Sequence, residues 1–197
     1  MNRELKKLIR QDLSRIYDHK LTMKDRLFLP LEIKYLILWR KASWYRQQYL
    51  SEKKLSDRIL SLSYGVKLMQ LTKKTQINIP AEVNAGPGLY LGHLGRVILH
   101  PDVTLGANVN LSTGITIGQC NRGSKKGVPT IGSHVWIGTN AVIVGKITIG
   151  DDVLIAPGAY VNMDVPSHSI VIGNPAVIHS SDFATKDYIN RPISSEQ

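Results

Sequence analysis

From about residue 77 onward, large aliphatic residues return at every sixth position. Ile131, Ile137, Ile143, Ile149, Ile155 and Val161 head six hexapeptides in unbroken register. The fifth position of each unit is small or aliphatic (Val135, Ala141, Ile147, Val153, Ala159, Val165), and glycine follows the leading residue at 132, 138 and 150. Leu105, Leu111 and Ile117 carry the same frame upstream. A unit with one large aliphatic side chain inward, a small residue at its shoulder and polar residues outward suits one short strand and a turn. Three units close a triangle, so about 18 residues make one rung of a solenoid. A period of six matches neither 3.6 nor 7, which excludes a helix, and turn residues recur too often for a sandwich.

The register breaks between Ile117 and Ile131. The segment from Gln119 to Thr130 holds two Gly, one Pro and the basic residues Arg122, Lys125 and Lys126, and reads as a loop extruded from the coil. Upstream, taking Ala85-Gly86 and Leu91-Gly92 as the first two positions of their units points His93 outward. This frame requires a two-residue slip between Val103 and Leu105.

Residues 1–76 follow helical periods. Leu5, Leu8, Ile9, Leu13 and Ile16 form one stripe. A second helix is expected from Pro30 toward Tyr49. Ser51 is the expected N-cap of a third, in which Gly65 blurs the end. The chain thus divides into a helical segment (1–76), a β-solenoid of about five rungs (77–178) and a C-terminal tail (179–197), an α+β solenoid.

At 197 residues, 43% apolar and 20% charged, the chain is long enough for one domain and an appendage. The net charge of +10 is unevenly spread. Residues 1–76 carry 18 Lys and Arg against 7 Asp and Glu, whereas the rest carry 7 against 8. Basicity therefore belongs to the helical segment and gives no reason to expect nucleic acid. Lys34, Arg40, Lys41 and Arg46 interleave there with Trp39, Trp44 and Tyr45, a pattern that suits peripheral contact with an anionic membrane. Cys120 is the single cysteine, which fits a reducing compartment. Charges interrupt the N-terminal apolar runs, and Tyr35–Trp39 is only five residues long, so neither a leader nor a spanning helix is expected and the location reads as cytoplasmic.

An outward histidine on a rigid coil is a candidate general base, because its pKa lies near neutrality. No HxxH or HExxH spacing, nucleophile elbow or Walker loop accompanies it, so no metal is expected.

Residues 77–178 resemble the hexapeptide-repeat acyltransferases with a left-handed parallel β-helix, in the serine O-acetyltransferase-like branch. The residues that carry the resemblance are Gly86-Pro-Gly-Leu-Tyr-Leu-Gly-His93, Gly114-Ile-Thr-Ile-Gly118, Ile137-Gly-Thr-Asn-Ala141 and Gly173-Asn-Pro-Ala176. The resemblance implies a homotrimer using acetyl-CoA, with His93 taking the acceptor proton as the hydroxyl attacks the thioester directly. It puts Gly118, Thr139 and Pro157 on CoA-contacting positions, and Lys125 and Lys126 are candidates for the CoA phosphates.

Departures from that branch shape the expected acceptor. The carboxylate fifteen residues before the histidine is Asn78, which can still accept from the ring. The acidic residue just before the histidine is Gly92, and the Arg-His pair of the loop falls on Gly127 and Val128. A zwitterion needs charged partners and a neutral sugar does not. The expected acceptor is therefore a sugar hydroxyl of surface polysaccharide or its lipid-linked precursor. The alternatives are serine O-acetylation, a carbonic-anhydrase-like hexapeptide protein binding zinc across subunits with His93, His100 and His134, and a non-catalytic scaffold.

Overall fold

The computed structural model describes residues 2–19, 21–22, 25 and 27–194. Helix α1 (Arg3–Ser14) starts at Asn2, whose side chain accepts from the Glu4 amide at 2.8 Å. Helices α2 (Leu31–Glu52) and α3 (Leu55–Thr75) form a hairpin. Ser51 lies inside the last turn of α2 rather than capping α3. The turn is instead made by Lys53 in the left-handed region, followed by an extended Lys54. Helix α3 runs through Gly65 and stops at Gln76, again left-handed.

Short strands follow, numbered in chain order from β1 (Ile77–Asn78) to β15 (Val177–Ser180), and stack into three parallel faces. The first face holds β1, β4 (Val97–Leu99), β7 (Thr116–Gly118), β10 (Val142–Val144) and β13 (Tyr160–Val161). The second holds β2 (Asn84–Ala85), β5 (Thr104–Leu105), β8 (Thr130–Ile131) and β11 (Thr148–Ile149). The third holds β3 (Tyr90–Leu91), β6 (Asn110–Leu111), β9 (Val135–Ile137), β12 (Val153–Ile155) and β14 (Ser169–Ile172), with β15 antiparallel at its edge. The result is a solenoid of about five rungs, left-handed like its structural neighbours described below. The first and fifth hexad positions point inward and are buried throughout: Ile131, Val135, Ile137, Ala141, Ile143 and Ile147 are each 3% exposed or less.

The shoulder glycines have a steric cause. At the corner between the second and third faces, Gly132 sits directly beneath Gly150, and an added Cβ would lie 2.7 Å from the Gly150 carbonyl carbon. Rungs stacked at about 4.8 Å leave no room for a side chain there.

The frame slips in a different place from the expected one. Val103 and Leu105 are both inward, as are Leu89 and Leu91, and Val97 and Leu99. The two additional residues therefore lie between Leu91 and Leu99, in the corner that carries His93. The step from β7 to β8 crosses only one corner, so the extruded loop adds eight residues to a normal hexad.

The helices close the first rung. Tyr35, Leu36 and Trp39 share one buried cluster with Ile77, Ile79, Val83 and Leu89. The Tyr35 hydroxyl accepts from the Ile79 amide at 2.9 Å, and Trp39 Nε1 donates to Pro80 O at 3.0 Å. Asp12 accepts from Arg40 Nε (2.7 Å) and Nη2 (3.0 Å) and from the amides of Gly88 and Leu89, while Arg40 donates to Ala85 O and Gly86 O. Arg15 reaches Gly88 O and Asn110 Oδ1, both at 2.8 Å, and burial brings its pKa down to about 10, still cationic at neutral pH. Trp39 and Arg40 are thus internal, which removes them from the expected membrane-facing pattern. No described helix is long and apolar enough to cross a membrane.

After β15 the chain runs back down the corner between the second and third faces. Thr185 bonds Asp152, Tyr188 packs edge-on against Trp136 at 4.9 Å, Asn190 O accepts from Arg15, and Ile193 bonds Asn108 on both sides. The segment is a strap spanning several rungs.

Two predictions follow from these contacts. Asp12→Ala leaves Arg40 buried without its carboxylate and should cost about 3–5 kcal/mol in urea unfolding. Partial burial raises the Asp152 pKa, but the bonds from Thr185, His168 and Ala184 outweigh it and hold it below the ordinary carboxylate value. A depressed carboxylate stabilises fully above its unfolded pKa, about 3.9, and loses that contribution as pH falls through the folded value. The strap should therefore detach on acidification below about pH 4, before the coil melts, as read from Trp136 fluorescence.

Candidate active site

Each corner between the third and first faces contributes one outward group, exposed at His93 and Pro157 and half-buried at Thr113 and Thr139. In ascending order these are His93, Thr113, Thr139 and Pro157. Backbone bonds lock them into a ladder: Asn140 N donates to Thr113 O at 3.0 Å, and Gly158 N to Thr139 O at 2.8 Å. At one rung per step, Thr113, Thr139 and Pro157 stand about 5, 10 and 15 Å above the His93 corner. The strap occupies a different edge, so this one stays open.

The His93 corner rests on the joint between helix and coil. Gly95 N donates to Thr75 O at 3.2 Å, and Val97 N to Gln76 O at 3.3 Å. Gly95 has φ +134°, and a Cβ there would overlap the Thr113 hydroxyl. The widened corner lets His93 stand out from the coil, with Gly92 beside it adding no side chain. Asn78 lies outward on β1, two residues past that joint, and no hydrogen bond joins it to His93 among the described residues.

The remaining expected contacts collect at the opposite edge of the first face. Gly118 ends β7 there, and its carbonyl accepts from Gly145 N at 3.2 Å. The loop folds as a small hairpin in which Cys120 and Gly127 exchange backbone bonds at 2.9 and 3.0 Å. Lys126 is exposed and Val128 half-buried against the core. The Lys125 ammonium donates to Asn162 O, so the coil already engages it. One chain therefore brings His93, Thr139 and Pro157 together but keeps Gly118, Lys125, Lys126, Gly127 and Val128 a full face away.

Thr113 was not singled out from the sequence. The signal for it is that Ser112-Thr113-Gly114 holds the same corner positions as Gly138-Thr139-Asn140. His93, His100 and His134 stand on three different corners, so one chain cannot gather them around a metal. No group of three metal-ligating side chains occurs among the described residues. A groove of about 800 Å³ lies between α1, Trp44 and the strapped corner, away from His93.

Repeat, triangular rungs and an open histidine-bearing edge are the features by which this chain resembles the hexapeptide-repeat transferases. The family model for bacterial transferase hexapeptide (six repeats) matches residues 129–162. Within that class its relatives are serine acetyltransferases. It is 33% identical over 118 residues to serine acetyltransferase 2 of Arabidopsis thaliana, covering 57% of this chain and 36% of that protein. The chain thus spans about a third of that relative's length. Among solved structures, the Brucella abortus serine acetyltransferase in complex with coenzyme A is 28% identical, with TM-score 0.67 over 91% of this chain and 69% of that one. The Neisseria gonorrhoeae serine acetyltransferase in complex with serine is 26% identical, with TM-score 0.68 over 90% and 69%. These relatives support the serine alternative better than the expected sugar acceptor.

Gly95→Ala forces a side chain into a left-handed corner and against Thr113. It should cost about 1–3 kcal/mol and broaden the His93 imidazole signals in NMR while leaving the spectrum of the upper rungs unchanged.

Proposed function

We propose that the protein is an acetyl-CoA-dependent O-acetyltransferase in which His93 is the general base. The observation that carries this reading is the open corner on which His93 stands below Thr113, Thr139 and Pro157. Such an edge suits an extended thioester: it offers a column of backbone and hydroxyl groups along its length and one titratable side chain at its foot. A neutral His93 nitrogen takes the proton of the acceptor hydroxyl as that oxygen attacks the thioester carbonyl. The C–S bond then breaks, and the imidazolium returns its proton to the departing thiolate. Asn78 acts as an orienting acceptor for the ring, and Gly118, Lys125 and Lys126 act as CoA contacts.

The gap between the His93 edge and the loop edge suits a homotrimer, in which the loop of one copy faces the His93 corner of the next. Gly127 and Val128 then line the acceptor side together with Gly92.

L-Serine is the first acceptor, because the relatives are serine acetyltransferases. A second reading, a neutral sugar hydroxyl, is favoured by one specific observation: Gly92, Gly127 and Val128 supply neither an acid for the ammonium nor a base for the carboxylate.

Thiol release from acetyl-CoA, measured with L-serine and with a panel of neutral sugars, distinguishes the two acceptors. His93→Ala should lower kcat/KM by about 10²–10⁴ with an unchanged circular dichroism spectrum. Wild-type turnover in that variant would overturn the assignment.

A further inference from the structure

Three exposed cations, Arg96, Lys73 and Lys74, gather where helix meets coil, at the foot of the His93 edge. Register Ile77↔Val97 sets Arg96 over Gln76, and the bonds from Gly95 N to Thr75 O and from Val97 N to Gln76 O fasten both sides of it to the end of α3. Lys73 and Lys74 lie in the last turn of that helix. Arg96 is three residues from His93, so their Cα atoms are at most about 11 Å apart. The only acid between Asp57 and Asp102 is Glu82, and Arg46 holds it at 3.1 Å. No ion pair joins Arg96, Lys73 or Lys74 to a carboxylate among the described residues, Glu32 at the adjoining end of α2 included. Lys73 and Lys74 have a structural reason to be cationic, because they face the negative end of the helix dipole. Arg96 lies on the coil and has none.

We infer that Arg96, with Lys73 and Lys74, binds an oxyanion carried by the acceptor. Position decides between acceptor and cofactor. Coenzyme A separates its phosphates from its thioester by the whole pantetheine arm, and the open column of Thr113, Thr139 and Pro157 leads upward from His93. Cations within one corner of the base, at the bottom of that column, therefore face the molecule that meets the thioester from the other side. The guanidinium presents parallel N–H donors that match a carboxylate or phosphate, and the two ammonium groups add to the field around it. Gly92, Gly127 and Val128 leave the acceptor side uncharged, and Arg96 restores a cation there from a different position. A sugar acceptor is then an acidic one, since a ligand without charge gains nothing from such a patch. The inference rests on the acetyl-transfer reading only in assigning the oxyanion to the acceptor. The carboxylate of L-serine, the carboxylate of an acidic sugar and the phosphate of a sugar phosphate share this chemistry, and the experiment separates them.

Titrations of the full chain without acetyl-CoA, read from the His93 imidazole signals in NMR, test it with L-serine, D-glucuronate and D-glucose 1-phosphate against D-glucose. At least one of the three probes that carry a carboxylate or phosphate should bind about ten-fold more tightly than D-glucose, and added salt should weaken it. Arg96→Gln should weaken that probe about ten-fold or more, with acetyl-CoA affinity and circular dichroism unchanged because the side chain faces solvent. Lys73→Gln combined with Lys74→Gln should weaken the same probe by less. The probe that responds names the oxyanion. Equal binding of charged and neutral probes, an unchanged affinity in Arg96→Gln, or a loss of acetyl-CoA affinity in its place overturns the inference. The titrations need no turnover, so retained activity in His93→Ala would overturn the base assignment and leave this one standing.

Discussion

A stacked solenoid cannot end without leaving a rung of backbone groups unpaired, and the closure of the first rung organises the rest of this molecule. Each interior rung is satisfied by its neighbours above and below. The first has a neighbour on one side only, and its corner exposes Ala85 O, Gly86 O, Gly88 O and the amides of Gly88 and Leu89. The helical segment answers with charge, not only with apolar cover. Asp12 takes the amides, Arg40 and Arg15 take the carbonyls, and Asp12 and Arg40 neutralise one another out of water. An unpaired buried donor or acceptor costs its full desolvation energy, so such a clamp is worth retaining even where the ion pair itself gains little.

That closure fixes which edges remain available. The clamp engages the corner between the second and third faces, and the returning C-terminal strap covers the same corner higher up, through Asp152, Trp136, Asn110 and Asn108. The corner between the first and second faces carries the extruded hairpin. Among the described residues only the third corner is left as an uncovered column, and it begins where α3 hands the chain to β1. His93 stands at its foot because the corner rests on the carbonyls of Thr75 and Gln76, the last residues of the helical segment. The helices and the His93 edge are therefore mechanically one unit.

Much of this was legible in the period of six, because a rung admits one large inward side chain per face and a shoulder with no room for a Cβ. The rungs from Ile131 to Val161 and the outward direction of His93 followed from that rule alone. What the rule could not locate is where a corner expands. Two residues added between Leu91 and Leu99 leave the inward alternation of Val97, Leu99, Val103 and Leu105 intact, so the slip could be moved along the sequence without violating burial. The turn at Lys53-Lys54 was missed for a related reason: a left-handed lysine ends α2 by backbone geometry, and Ser51, a good cap by composition, is one turn too early. The strap was invisible because its partners, such as Trp136 with Tyr188 and Asn108 with Ile193, are far apart in sequence and follow no repeat. Within the site, periodicity separated the corner of His93, Thr139 and Pro157 from the corner of Lys125 and Lys126 only once the number of faces crossed by the loop was known.

The uneven charge reads differently once its members are placed. Arg15 and Arg40 are structural, spent on the carbonyls of the first two rungs, and Trp39 is packed beneath them. The surface cations that remain are dispersed over α1, α2 and α3. A segment selected for lipid contact concentrates its cations beside its apolar strip, where each gains from the anionic surface. Here the exposed apolar residues of α3, Leu55, Ile59, Leu62, Val66 and Met69, are flanked mostly by neutral residues (Ser56, Ser63, Gln70 and Thr72), so the charge of the segment is not organised around them.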